Sequence, residues 1–288
     1  MPTYILSYPG HGSRAAFQEW LHLADQVTLA GGRILVLDPS KEAAAEQAQA
    51  VTHAAHLGAL FPQPQTREPV FLLNAQAASQ SAALERAGLR VRVAEHPFHG
   101  QADLIALPRS RFLLTRPAGA AAVSPVLQGL LPPGARLLEI PLKAPLQHGY
   151  QALGAVVSAA GHAVLLVHIA GLAEHGLADL ARFAGSEVDT VPLEGDDAAA
   201  GATALLSVRS HLLHNPGLSA TLRGRLVRHG FQLIEMPLAH ILCGTASGPR
   251  ALVNELVGYV LSEDAPSYGL RRDSLRQRVE HYPEVAPA

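Results

Sequence analysis

A glycine, six residues rich in apolar side chains and a proline recur along this chain. The spacing appears in GGRILVLDP (Gly32 to Pro39), GARLLEIP (Gly134 to Pro141), GSEVDTVP (Gly185 to Pro192) and GFQLIEMP (Gly230 to Pro237). GLRVRVAEHP, from Gly88 to Pro97, is a copy with two extra residues. Each copy follows a helix-like run, and successive glycines lie 45 to 56 residues apart. Self-similarity at such a period marks one supersecondary unit used several times. The residue types fit that role. Glycine takes the left-handed turn that ends a helix, and proline halts strand pairing.

Reading between the copies fills in the units. TYILSYP (Thr3 to Pro9) is predicted as a strand, followed by a helix from Ser13 to Leu29. Ser13 is a candidate cap, and Phe17, Trp20, Leu21, Ala24 and Val27 share one helical face. Lys41 to Leu57 is Ala-rich and helix-prone, and FPQPQTREP is a Pro-rich loop. The second unit is read as the strand VFLLNA, a helix from Gln76 to Ala87 and the Gly88 copy. Three further units open with hairpin patterns: ADLIALPRSRFLLTR, GYQALGAVVSAAGHAVLLVHI and ATALLSVRSHLLHNP. Their helices are expected over Pro125–Leu131, Leu172–Phe183 and Ser219–His229, and GDDAAAGA reads as a loop. The chain therefore reads as five ββαβ units, with the first hairpin split between the two ends of the sequence. The expected division is a domain over 1–265 and a polar C-terminal tail over 266–288.

Composition narrows the function classes. Of 288 residues, 48% are hydrophobic and only 16% charged, with a formal net charge of −2. That gives a large core and no basic excess for nucleic acid. No apolar run approaches the roughly 20 residues of a membrane span, and the N-terminus lacks a signal-peptide pattern. A single cysteine excludes an intrachain disulfide and fits a reducing, cytoplasmic setting. No nucleic-acid or membrane partner is expected, and self-association into a homo-oligomer is left open.

The five-unit pattern resembles the pentein fold, the five-bladed α/β-propeller with pseudo-five-fold symmetry. It is the fold of the guanidino-group-modifying superfamily: arginine deiminases, dimethylarginine hydrolases, agmatine deiminases and amidinotransferases. REPVFLLNA resembles the family's P-D-x-x-F-x-x-N strand through Pro69, Phe71 and Asn74. FHGQADLIAL is similar to its F-E-G-x-G-D-V-L segment, with Asp103 retained. His148 stands where the family carries its catalytic histidine, and GTASGPRAL resembles G-G-G-P-R-C-L through Arg250. The resemblance implies a thiolate that attacks a guanidinium carbon, a histidine that moves protons and two carboxylates that grip the guanidinium.

The chain departs from that pattern where the chemistry lies. The nucleophile position is Ala251, the motif glutamate is His99, the second motif glycine is Ala102, and an expected arginine falls near Gly119. The resemblance leaves Asp103 and His148 as candidate catalytic residues, with Asn74, Asp103 and Arg250 as candidate binding residues. Cys243, eight residues before Ala251, reads either as a displaced nucleophile or as a small buried hydrophobe. Asp103 reads either as a grip for a cationic ligand or as a structural hydrogen-bond acceptor.

Fifteen histidines invite a metal reading. His53 and His56 would share a helical face, but His211 and His214, three apart on a strand, face opposite ways. No third ligand is patterned with either pair, so no metal is expected. The chain carries no phosphate- or dinucleotide-binding glycine motif, so no cofactor is expected either. The favoured reading is a degenerate, non-catalytic pentein that binds a guanidino ligand or a protein partner. The alternative is an active arginine-derivative hydrolase or amidinotransferase that uses Cys243.

Overall fold

Among the described residues, fifteen strands pair into five separate three-stranded sheets in the structure, a computed structural model. It describes residues 1–9, 13–37, 53–61, 69–95, 98–117, 127–173, 176–242, 247–260, 265, 267–281 and 284. In the first sheet, β1 (Thr3–Ser7) lies parallel to β2 (Arg33–Leu37) across helix α1 (Arg14–Leu29). Ser13 caps α1, its Oγ accepting from the Ala16 N–H at 3.2 Å. The predicted apolar face of α1 is buried throughout. β15 (Val253–Leu256), near the C-terminus, is antiparallel to β1 and completes this sheet. The first hairpin is thus split between the ends of the chain, as the unit count requires.

The other sheets repeat the pattern in sequence order. The second holds β3 (Gly58–Phe61), β4 (Val70–Leu73) and β5 (Arg90–Val93), with α2 (Ser81–Arg86) before β5. The third holds β6 (Leu104–Leu107), β7 (Arg111–Arg116) and β8 (Arg136–Pro141). The fourth holds β9 (Leu153–Val157), β10 (Ala163–Val167) and β11 (Val188–Pro192), with α3 (Leu177–Ala184) before β11. A short helix α4 (Gly195–Ala199) forms where GDDAAAGA reads as a loop. Asp196 and Asp197 in its first turn suit the positive end of the helix. The fifth sheet holds β12 (Leu206–Val208), β13 (His211–His214) and β14 (Gln232–Glu235), with α5 (Ala220–Arg228) before β14.

In every sheet an inner strand is antiparallel to the middle strand, which is parallel to the outer one. β1, β4 and β10 are middle strands and are buried along their whole length, which explains their unbroken apolar sequences. The expected α/β architecture of five ββαβ units is the one observed. The glycines before the outer strands act as turn residues: Gly88, Gly134, Gly185 and Gly230 have φ between 78° and 89°. In the first unit Gly31, at φ 88°, takes that role instead of Gly32.

The C-terminal segment differs from the expected polar tail. α6 (Tyr268–Gln277) buries Tyr268 and Leu275 in the same core cluster as Phe17 and Trp20. Its polar residues have a partner: Tyr268, Arg272 and Arg276 all donate to the Asp25 carboxylate of α1, at 2.7–3.0 Å. The Ala-rich stretch from Lys41 lies outside the described residues up to position 52, as do Pro125 and Val126 of the helix expected at Pro125–Leu131, of which Leu127 and Gln128 are helical.

Each inner strand begins in the same way. A short 3₁₀ turn precedes it: Ala54–His56, Gly100–Ala102, Gly149–Gln151, Ala202–Ala204 and Pro249–Leu252. The residue before each turn sits five positions ahead of its strand. These residues are His53, His99, His148, Gly201 and Gly248. The turns crowd together, and glycine makes this possible. Gly100, at φ 58°, lies where a Cβ would strike the backbone of Gly58.

Candidate functional site

Three of the five equivalent pre-turn positions carry histidine, and two of those three side chains meet at one carboxylate. His99 Nδ1 lies 3.0 Å from Asp103 Oδ2, and His148 Nδ1 lies 3.6 Å from Asp103 Oδ1. Asp103 closes the Gly100–Ala102 turn and is almost fully buried. Its Oδ1 also accepts the Gly149 N–H at 3.2 Å. Thr115 holds the Asp103 carbonyl by two hydrogen bonds, from its N–H at 2.9 Å and its Oγ1 at 3.1 Å. The carboxylate is therefore fixed from both sides before any ligand is considered.

Two further rings complete the cluster. His56 packs 4.2 Å from the His148 ring centroid and 6.1 Å from that of His99. Its Nε2 meets the buried Tyr150 hydroxyl at 3.2 Å. His53 lies 5.5 Å from His56. Amide side chains hold this turn in place: Asn74 donates to the His56 carbonyl, and Asn254 donates to those of Ala54 and Gly58. Gln151 fixes the neighbouring turn by accepting the Gln147 and His148 N–H groups at 2.8 and 3.0 Å.

Electrostatics divide the four histidines. The hydrogen bond to Asp103 raises the His99 imidazole, outweighing the opposing effect of burial. Burial pushes the Asp103 carboxyl up, but the two facing imidazoles overcome it and hold the group below its ordinary value. Burial, helped by the neighbouring His148, lowers His53 to about 4 and His56 to about 2. At neutral pH the cluster thus contains a carboxylate paired with His99 and two uncharged imidazoles.

The sequence-predicted residues divide in space. Asp103 and His148 are brought together as the motif order implies. Asn74 joins them indirectly, because its Oδ1 caps the following turn at Gln76 while its Nδ2 braces His56. Ala251 is fully buried in the Pro249–Leu252 turn, in the place corresponding to His56 in the second unit. Arg250 occupies a different space. It donates to the Ala155 carbonyl at 3.2 Å and lines a cleft of about 660 Å³ at the far ends of the inner strands. There it faces Glu255, whose carboxyl is raised by burial and lowered in part by Arg250 itself. Cys243 and Gly119 lie outside the described residues.

Sequence reasoning missed His53, His56, His99 and Tyr150 as members of one cluster. The available signal is the alignment of the five units on their inner strands, which puts His53, His99 and His148 in register. Spacing within one segment carries no such signal, because the partners come from different units.

This geometry and the five-sheet topology define the pentein fold. The chain superposes on the N-terminal domain of ArgZ, a cyanobacterial arginine dihydrolase solved with bound substrate. The TM-score is 0.72 at 16% identity, covering 89% of this chain and 98% of that domain. It superposes on AgrE, solved with ornithine and NAD+, with a TM-score of 0.72 at 17% identity. That match covers 91% of this chain but only 40% of AgrE. A dimethylarginine dimethylaminohydrolase gives a TM-score of 0.62 at 14% identity, covering 88% and 99% of the two chains. No protein-family model and no curated protein matches the sequence.

Proposed function

We propose that this chain is a binding protein on the pentein scaffold that lacks the thiolate chemistry of the arginine-modifying enzymes. The observation that carries the reading is the pairing of His99 with Asp103. In the family motif a glutamate stands at the His99 position to grip a guanidinium. Here that position holds an imidazole, and the remaining carboxylate is already engaged by His99 and the Gly149 N–H. A guanidinium entering this centre meets the raised imidazole of His99 and finds no unengaged carboxylate pair. Ala251, at the nucleophile position, offers only a methyl group. Both changes act against the same reaction. They support a centre rebuilt for binding a ligand other than an arginine side chain.

The test is direct. Incubation with arginine, agmatine and methylated arginines is expected to release no citrulline, ornithine or ammonia above a buffer control. Turnover that disappears in a Cys243→Ser variant would overturn the reading and establish the hydrolase or amidinotransferase alternative. A thermal-shift series with the same compounds is expected to be flat, and a saturable shift would restore the guanidino-binding reading.

A further inference from the structure

We infer that His99, Asp103 and His148 form a binding site for a first-row divalent cation of the zinc class. The inference rests on the reading of this centre as a binding site and gives that site a ligand chemistry. One ligand atom from each residue lies within 4.8 Å of the others. A tetrahedral ion with bonds of about 2.0–2.1 Å separates neighbouring ligand atoms by about 3.3 Å. The two histidine–carboxylate separations, 3.0 Å to Asp103 Oδ2 and 3.6 Å to Asp103 Oδ1, lie near that value, each on its own carboxylate oxygen, and the ion would take the place of the proton shared by His99 and Asp103.

The second observation is His148 Nδ1. It is buried and has no hydrogen-bond partner. At 3.6 Å from Asp103 Oδ1 it is too far to donate a good hydrogen bond. If it carries the lone pair instead, that lone pair faces a carboxylate. Neither tautomer satisfies the atom, whereas a cation between His148 and Asp103 satisfies both groups. The third observation is internal to the fold. Gly201 and Gly248 stand at the positions equivalent to His99 and His148, so the turns form without a side chain there. The scaffold alone gives no reason for two imidazoles at this carboxylate.

The surroundings suit an ion. The His99 and His148 side chains keep 26% and 20% of their exposure, so the site is reachable from solvent. The Gly149 N–H bond to Asp103 orients the carboxylate from the outer shell, the usual support for a metal ligand. Two nitrogens and one carboxylate favour Zn²⁺, Co²⁺, Ni²⁺ or Fe²⁺ over the hard, oxygen-seeking Mg²⁺ and Ca²⁺. Three protein ligands leave at least one coordination position for water or an anionic ligand. Such a centre would attract a ligand opposite in charge to a guanidinium.

The experiment uses the full chain stripped with a chelator and titrated with Co²⁺ by visible absorption and with Zn²⁺ by calorimetry. One ion per chain is expected. His99→Gln and His148→Gln are each expected to weaken binding by at least about 100-fold, with His211→Gln and His229→Gln unchanged. Circular dichroism melts confirm that each variant is folded. A second readout needs no variant: Zn²⁺ should protect His99 and His148 of the wild-type protein from acylation by diethyl pyrocarbonate, mapped by peptide mass. Absence of saturable binding, wild-type affinity in the His99 and His148 variants, or protection confined to other histidines would overturn the inference. None of these results bears on Cys243-dependent turnover, so the two readings fail separately.

Discussion

The five turns that open the inner strands share one backbone plan and carry two kinds of residue. In the second, third and fourth units the pre-turn residue is histidine; in the fifth and first it is Gly201 and Gly248. The glycine turns serve as internal controls. Gly201 uses its freedom, at φ 75°, and a Cβ on Gly248 would sit 2.7 Å from the Ala204 carbonyl oxygen. Those two positions are set by packing. The histidine positions have extended or ordinary backbone; His99 and His148 converge on Asp103 and on each other, while His53 packs on His56. The difference separates residues that build the turns from residues that furnish the centre between them.

Gly100→Ala should show the building role most strongly. A Cβ there forces a positive-φ conformation and strikes Gly58, so a loss of about 3 kcal/mol is expected in denaturant melts. A near-neutral result would remove glycine packing from the comparison. Asp103→Asn comes next, at about 1–3 kcal/mol, because His99 loses a charged partner inside the protein. A neutral result would mean that the carboxylate is not the hub of the cluster.

A region remote from the turns gives a pH contrast. Asp25 anchors α6, and although burial pushes its carboxyl up, hydrogen bonds from Arg276, Arg272 and Tyr268 hold it below the ordinary value of 3.8. The sign follows from linkage. The stabilisation is present above about pH 3.8 and is lost as the pH falls through the lower value of the folded protein. Limited proteolysis in steps from pH 5 to pH 2.5 should therefore free α6 below pH 3.8, while Asp25→Asn should free it more readily already at pH 7. Cleavage that is indifferent to both would break the assignment of Asp25 as the anchor. The smallest stability effect is expected for His99→Gln, below about 1 kcal/mol, because the glutamine amide can still donate to Asp103 from this partly exposed position. A larger loss would move His99 to the building class and weaken the contrast.

The sequence is most legible where the physics is local and periodic. The α1 face, the Ser13 cap, the hairpin around Pro108–Ser110 and the left-handed glycines before the outer strands all follow from spacing and backbone preference. The split first hairpin follows from counting units. β3 carries no separate signal in the sequence because Gly58–Phe61 is four residues long, between an Ala-rich stretch and a Pro-rich loop. α6 reads as a tail because only Tyr268 and Leu275 face the core, and its arginines gain meaning only beside Asp25. The Asp103–His148 approach is legible through motif resemblance, not periodicity. His53 and His56 look like a pair on a helix, yet their neighbours His99, His148 and Tyr150 come from other units. Arg250 matches a motif in sequence while its guanidinium points toward the opposite cleft.

The most direct test of the account is the imidazole ¹⁵N spectrum of uniformly labelled protein at pH 7, recorded before and after one equivalent of Zn²⁺. The account predicts that His99 and His148 shift together to metal-bound values, that His56 moves slightly, and that His162, His211 and His229 stay in place. Unchanged His99 and His148 signals, or shifts confined to the outer histidines, would contradict it.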